Sequence, residues 1–265
     1  MPESLYVDVR GQGPDLLLLH GWAMHGGIWP ASLLAVLEQD FRLHIIDLPG
    51  HGRSAPLTEA FSLDSVSKLL YQYARSRLDG PACWLGWSLG GMLAANVAVQ
   101  HPQIITRLVL VSSSLRFCKT ENWPHAMDVT VLELFAAQLR QDYRGTLSRF
   151  LALQFKGDSH ARESLRGLRE QLFARGEPDR KTLNEGLKIL LDDDLRGQAN
   201  KISQPVQLIG GESDSLTPAA ALEALARQFS QAKLFIIKGA GHAPFISHAE
   251  IFQQQLMRFV HVRQD

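Results

Sequence analysis

The pentapeptide Gly86-Trp87-Ser88-Leu89-Gly90 constrains this chain more than any other stretch of it. Ahead of it stands a short apolar run, Ala82–Leu85. After it comes Leu89–Gln100, which reads as a buried helix. A serine flanked at two residues on either side by glycine, between a strand and a helix, is the pattern of a nucleophile elbow. The sharp turn strains the serine backbone and lifts its hydroxyl clear of the sheet. Glycine is required on both sides because a Cβ there would collide with the neighbouring strand or helix. A serine that merely caps a helix after a glycine turn is the plainer alternative.

The elbow predicts a parallel sheet, and the flanking sequence supplies one. Leu5–Val9 alternates weakly and ends at Gly11-Gln12-Gly13, as an edge strand does. Leu16–Leu19 and Leu43–Ile46 are short, continuous apolar runs, as expected of strands covered on both faces. Ile28–Glu38 reads as a helix. Ser62–Arg77 reads as another, with Leu63, Val66, Leu69, Leu70 and Tyr73 on one side. Leu108–Val111 is the next buried strand. From about Ser112 to Asn200 the pattern changes to helices alone, roughly Val129–Gln141, Arg144–Gln154, His160–Ala174 and Arg180–Leu191. Val206–Ile209 and Leu234–Ile237 then restore the sheet, alternating with helices over Pro218–Phe229 and Ala249–Val262. The expected architecture is α/β: a mostly parallel sheet with helices on both faces, built from residues 1–111 and 201–265, and a helical lid inserted over 112–200.

In such sheets ligands sit beyond the carboxyl ends of the strands. His20-Gly21-Trp22, the loop Asp47-Leu48-Pro49-Gly50-His51-Gly52-Arg53-Ser54 and Ser88 all fall there. A serine hydroxyl needs a base to take its proton. Of ten histidines, His242 is best placed, on the loop after the last strand. His20 and His51 are expected to organise their loops, and His25, His101, His125, His160 and His261 have no expected role. Asp214, just past the Val206–Ile209 strand, is the expected partner that fixes the tautomer of His242. Glu212 is its competitor, and Asp192-Asp193-Asp194 reads as a solvated face or helix end. The oxyanion of a tetrahedral intermediate needs preorganised donors. The backbone N–H groups of Leu89 and Trp22 are the expected pair.

Net charge is zero, which disfavours bulk binding to nucleic acid or to a membrane surface. The uncharged stretch from Gly80 to Thr106 is interrupted by glycines, Asn96, Gln100, His101 and Pro102, so it reads as strand, elbow and helix rather than a span. Cys83 and Cys118 make no disulfide framework, and Met1-Pro2-Glu3-Ser4 does not open a basic-then-apolar leader. A cytoplasmic monomer is the expectation. No H-E-x-x-H, cysteine–histidine cluster or phosphate loop is present, so no cofactor or metal is expected for the chemistry.

Together these motifs resemble the α/β-hydrolase family, over nearly the whole chain. Leu85-Gly86-Trp87-Ser88-Leu89-Gly90-Gly91, Arg149-Phe150-Leu151-Ala152-Leu153-Gln154 and His242-Ala243-Pro244-Phe245-Ile246-Ser247-His248 are similar to the branch of that family formed by the carboxylesterases of biotin synthesis. That resemblance implies hydrolysis of the methyl ester of a pimeloyl group borne on acyl-carrier protein. It implies that Trp22, Ser88, Leu89, Phe150, Leu151, Ala152, Leu153, Gln154 and His242 contact substrate. It also implies that Arg149, Arg162 and Arg166 contact the carrier. A further carrier position is occupied by Gly145, with Arg144 beside it, and Ala249 stands where the branch has proline. From Arg140 to Arg175 there are eight Lys or Arg against four Asp or Glu, a local basic excess on a neutral chain. A solvated helix face is the plainer reading of those arginines. A general short-acyl esterase of the same fold, and a non-catalytic ligand-binding member of it, are the alternative functions.

Overall fold

The apolar runs of the sequence become the strands of one sheet. The computed structural model describes residues 5–158, 160, 165, 168 and 173–261. Seven strands lie in the order β1-β3-β2-β4-β5-β6-β7, where β1 is Val7–Arg10, β2 Asp15–Leu19, β3 Arg42–Ile46, β4 Ala82–Trp87, β5 Ile105–Val111, β6 Val206–Gly211 and β7 Ala232–Ile237. Among the described residues, only the β1–β3 pair of this sheet is antiparallel. Leu16 to Leu19 on β2 and Leu108 to Val111 on β5 are wholly buried. That is why these strands are apolar throughout rather than alternating.

Helices cover both faces. α1 spans Ala31–Leu37, α2 Leu63–Arg77 and α3 Leu89–Gln100. α2 begins with a capping box, Ser62 and Ser65 each satisfying the other's backbone N–H. α3 is buried from Leu89 to Ala98, as a helix apolar all round must be. One sequence expectation is corrected here. The stretch Ile28–Glu38 is not one helix but a 3-10 turn, Gly26–Ile28, followed by α1. Pro30 stands between them, and proline starts helices but does not sit inside them. His25 caps the turn by accepting the Gly27 N–H at Nδ1, 3.0 Å away. The sequence had left that histidine without a role.

Between β5 and β6 the chain leaves the sheet. α4 (Val129–Gln141), α5 (Tyr143–Gln154) and α6 (Arg180–Asp192) form the inserted segment. Each begins at an aspartate whose carboxylate accepts a first-turn N–H: Asp128 from Thr130, Asp142 from Gly145, and Asp179 from Thr182. The helix expected over 160–174 lies largely outside the described residues. Arg116 donates to the carbonyl of Asp192 at 2.5 Å, and Asp194 pairs with Arg196. The acidic run is therefore a helix end held by two arginines. After β6 come α7 (Ala219–Ala226), a single turn α8 (Pro244–Ser247) and α9 (Ala249–Val260). Among the described residues, no helix is long and apolar enough to cross a membrane.

β2 and β4 are neighbours in the sheet, yet the chain passes from β2 outward to β3 before returning to β4. This reversal is the point at which a parallel sheet opens a crevice at its carboxyl edge. The loops that leave β2 and β4 carry Trp22 and Ser88.

Candidate active site

Ser88 has φ 54° and ψ −121°, a left-handed conformation that costs a non-glycine residue about 1–3 kcal/mol. The surroundings hold it there. Its N–H donates to the Val111 carbonyl at 2.9 Å, and its carbonyl accepts the N–H of Gly91 at 3.0 Å and the hydroxyl of Ser113 at 2.6 Å. A Cβ on Gly90 would lie 2.4 Å from the Leu19 carbonyl oxygen and 2.5 Å from that of His20. One on Gly86 would lie 2.4 Å from the backbone of Gly90 and Gly91. These are backbone atoms on both sides, so nothing gives way cheaply. Gly90→Ala should therefore lower stability by about 3 kcal/mol or more, a fall in Tm of roughly 6–12 °C. Calorimetry of that variant checks the packing of the elbow, and an unchanged Tm would contradict it.

His242 and Asp214 arrive from the ends of β7 and β6. Asp214 accepts the Nδ1–H of His242 at Oδ2, 2.8 Å away. Both side chains are almost fully buried, at 2% and 0% exposure. The other carboxylate oxygen accepts the N–H of Leu216 at 2.8 Å and that of Thr217 at 2.9 Å, so the group is fixed from two sides. An ionised carboxylate has no proton to give, so Nδ1 carries the hydrogen and Nε2 remains the basic nitrogen. Glu212 is exposed and accepts the Gly239 N–H at 3.0 Å instead.

The backbone of His242 is tied down as firmly as its ring. Its N–H donates to the Gln154 carbonyl at 2.8 Å, and its carbonyl accepts the indole N–H of Trp87, also at 2.8 Å. The N–H of Gly241 donates to Asp158 Oδ2 at 2.8 Å. The histidine loop is thus joined to the elbow strand on one side and to the lid on the other. Ser113, Asp158 and Thr217 were missed from sequence. Ser113 and Asp158 act through contacts 25 and 83 positions away, and Thr217 bonds Asp214 through its backbone N–H, which its side-chain type does not disclose.

The buried rings of His20 and His51 lie against each other with centroids 5.3 Å apart. Nδ1 of His20 donates to the Gly21 carbonyl and its Nε2 accepts the Leu48 N–H. His51 donates from Nδ1 to the Pro49 carbonyl. Burial holds His20 well below the usual imidazole range and lowers His51 to about 4. Both are neutral braces of their loops. Asp47, also fully buried, accepts the N–H groups of Gly26 and Arg53 and pairs with Arg175 across the lid at 3.1 Å.

The lid closes over Trp22. The indole N–H donates to the Leu183 carbonyl on α6 at 2.9 Å, and the ring meets Phe150 of α5 edge-on with centroids 4.7 Å apart. A Cβ on Gly186 would come within 2.8 Å of the same indole. Phe150, Leu151 and Gln154 are buried, whereas Ala152 and Leu153 are half-buried. Phe135 packs against Phe150 at 5.2 Å. The hydroxyl of Tyr143 donates to the Pro178 carbonyl, which places it inside the lid. Arg149 is half-exposed and pairs with Asp142 at 3.1 Å, and Arg144 pairs with Glu177. Arg162 and Arg166 lie outside the described residues.

The chain matches the alpha/beta hydrolase fold family over residues 14–249. It is 43% identical over 259 residues to the pimeloyl-[acyl-carrier protein] methyl ester esterase of Xanthomonas axonopodis pv. citri, covering 97% of this chain and 98% of that one. It is 41% identical over 256 residues to the enzyme of the same name from Stenotrophomonas maltophilia, covering 97% and 96%. Among solved structures it resembles a bromoperoxidase from Bacillus anthracis, with TM-score 0.89, 24% identity and coverage of 97% and 95%. An esterase from Exiguobacterium antarcticum has TM-score 0.87, 20% identity and the same coverage. At those identities the structural likeness speaks for the fold alone.

Proposed function

The chain belongs to the alpha/beta hydrolase fold family, and from that premise we propose that it hydrolyses the methyl ester of pimeloyl-[acyl-carrier protein] by serine catalysis, releasing methanol. The observation that carries this reading is the identity above 40% along nearly the full length of chain and relative alike, lid included. The sheet and elbow are common to hydrolases of many substrates. The lid is what differs among them, and it is matched too.

In the proposed mechanism the Oγ of Ser88 attacks the ester carbonyl while Nε2 of His242 takes its proton. Asp214 holds the imidazole and stabilises its cation. The oxyanion lies between the backbone N–H groups of Leu89 and Trp22. Leu89 is the first residue of α3, so the helix dipole adds positive potential there. Loss of one such donor raises the barrier by about 3–4 kcal/mol. His242 protonates the departing methanol, then deprotonates the water that releases the acyl group as a carboxylate. His242 accounts for every proton moved, so the reaction demands no cofactor.

Phe150, Leu151, Ala152, Leu153 and Gln154 form the proposed lid side of the acyl site, with Trp22 facing them. The inserted lid, over 112–200, carries the proposed carrier surface at Arg144, Arg149, Arg162 and Arg166. We place the protein in the cytoplasm, as a monomer, beside its carrier. If docking is electrostatic, changing Arg162 and Arg166 together to Ala lowers kcat/KM for the carrier-linked ester about tenfold and flattens its salt dependence. Turnover of a free short methyl ester changes by less than twofold. Equal losses on both substrates would contradict docking on this face. A free ester turned over as well as the carrier-linked one would favour a general short-acyl esterase.

A further inference from the structure

Behind the His242 loop, outside the proposed chemistry, three metal-ligating side chains converge. One ligand atom from each of Asp158, His160 and His248 lies within 4.8 Å of the other two. Asp158 and His160 follow α5 in the inserted segment, and His248 joins α8 to α9 in the core. The two imidazole rings meet edge-on with centroids 4.9 Å apart.

We propose that Asp158, His160 and His248 bind a divalent transition-metal ion of the zinc class, bridging the lid to the segment just after His242. Two imidazoles and one carboxylate select a borderline cation such as Zn²⁺ or Co²⁺ over Mg²⁺ or Ca²⁺, which need oxygen donors. With metal–ligand distances of about 2.0–2.2 Å, ligand atoms in a tetrahedral site stand about 3.4 Å apart. From separations of up to 4.8 Å, the three groups reach that spacing by closing at most about 1.4 Å. His160 is exposed, which leaves the site open to solvent, and water completes the fourth position.

The outer contacts of the cluster are those a metal site uses to orient its ligands. Nδ1 of His248 lies 2.9 Å from the Ser247 hydroxyl, which fixes the ring. The Asp158 carboxylate, mostly buried, accepts the His160 N–H on one oxygen and the Gly241 N–H on the other, both at 2.8 Å. Each oxygen keeps a further lone pair for the ion. An ion here joins residue 158 to residue 248 across Gly241 and His242.

The test uses the untagged full-length protein, stripped with chelator and titrated with Zn²⁺ by calorimetry and with Co²⁺ by visible absorption. We expect about one ion per chain, a tetrahedral Co²⁺ spectrum, and a rise in Tm of about 5 °C at saturating Zn²⁺. Mg²⁺ should have no effect. His160→Ala and His248→Ala should each weaken Zn²⁺ at least tenfold. Because His160 is exposed, its variant tests the site even if the His248 variant fails to fold. Ser88→Ala should bind Zn²⁺ like the wild type, so the site stands or falls apart from the esterase reading. No binding, or undiminished binding by the His160 variant, would overturn the proposal.

Discussion

Ser88→Ala is expected to lower kcat for a methyl ester by about 10⁴–10⁶-fold while leaving the protein folded. Removal of the nucleophile abolishes the covalent route, and only the oxyanion donors and binding remain. The fold should tolerate the change. The contacts that hold Ser88 at φ 54° run through its backbone, to Val111, Gly91 and Ser113. Alanine keeps the backbone contacts and adopts the same φ at a similar strain. A Tm within about 2 °C of wild type is expected, corresponding to less than about 1 kcal/mol. Steady-state kinetics with a calorimetric scan of the same sample checks both halves. Retention of a tenth of the activity would remove Ser88 from the mechanism.

Asp214→Asn is expected to lower kcat by about 10⁴-fold, again with little loss of stability. Oδ1 of Asp214 accepts the N–H groups of Leu216 and Thr217, and an asparagine carbonyl can keep both. The amide NH₂ then faces Nδ1 of His242 in place of Oδ2. Two donors cannot pair, so the imidazole shifts its hydrogen to Nε2 and Nδ1 becomes the acceptor. The nitrogen that should take the serine proton is then already protonated. The buried imidazolium also loses its counter-charge. Single-turnover kinetics separates this from a binding defect: the chemical step slows while substrate affinity changes little. An Asn variant within tenfold of wild type would mean that Glu212 or another group orients His242.

Much of this arrangement was legible in the sequence, because strands buried on both faces leave continuous apolar runs. The runs ending at Leu19, Leu85 and Ile209 marked strand carboxyl ends, and the residues just beyond them fell on one edge. β4 nevertheless continues through Trp87 and β6 through Gly211. Glycine and tryptophan blur the apolar signal where the strand nears the site. Lid helices were recognisable as a run of helical stretches without a buried strand, with Val129–Gln141 recovered to the residue. The single turn Pro244–Ser247 was not, since four residues carry no periodicity. What the sequence could not disclose was how the parts are tied. Trp22 meets Leu183 across 161 positions and Trp87 meets His242 across 155. Asp158 reaches Gly241 across 83. Such bonds follow from the assembled sheet and leave no mark in either local stretch.

The substrate is best tested on the carrier protein itself. Its pimeloyl methyl ester offers the enzyme two acyl groups, the methyl ester at one end and the thioester to the carrier at the other. Mass spectrometry of the carrier after incubation with enzyme distinguishes them directly. If Ser88 is delivered to the methyl ester, the carrier keeps its acyl chain and becomes lighter by one methylene, with an equivalent of methanol released. A carrier returned to its unacylated thiol form, or one left unchanged, would contradict the assignment.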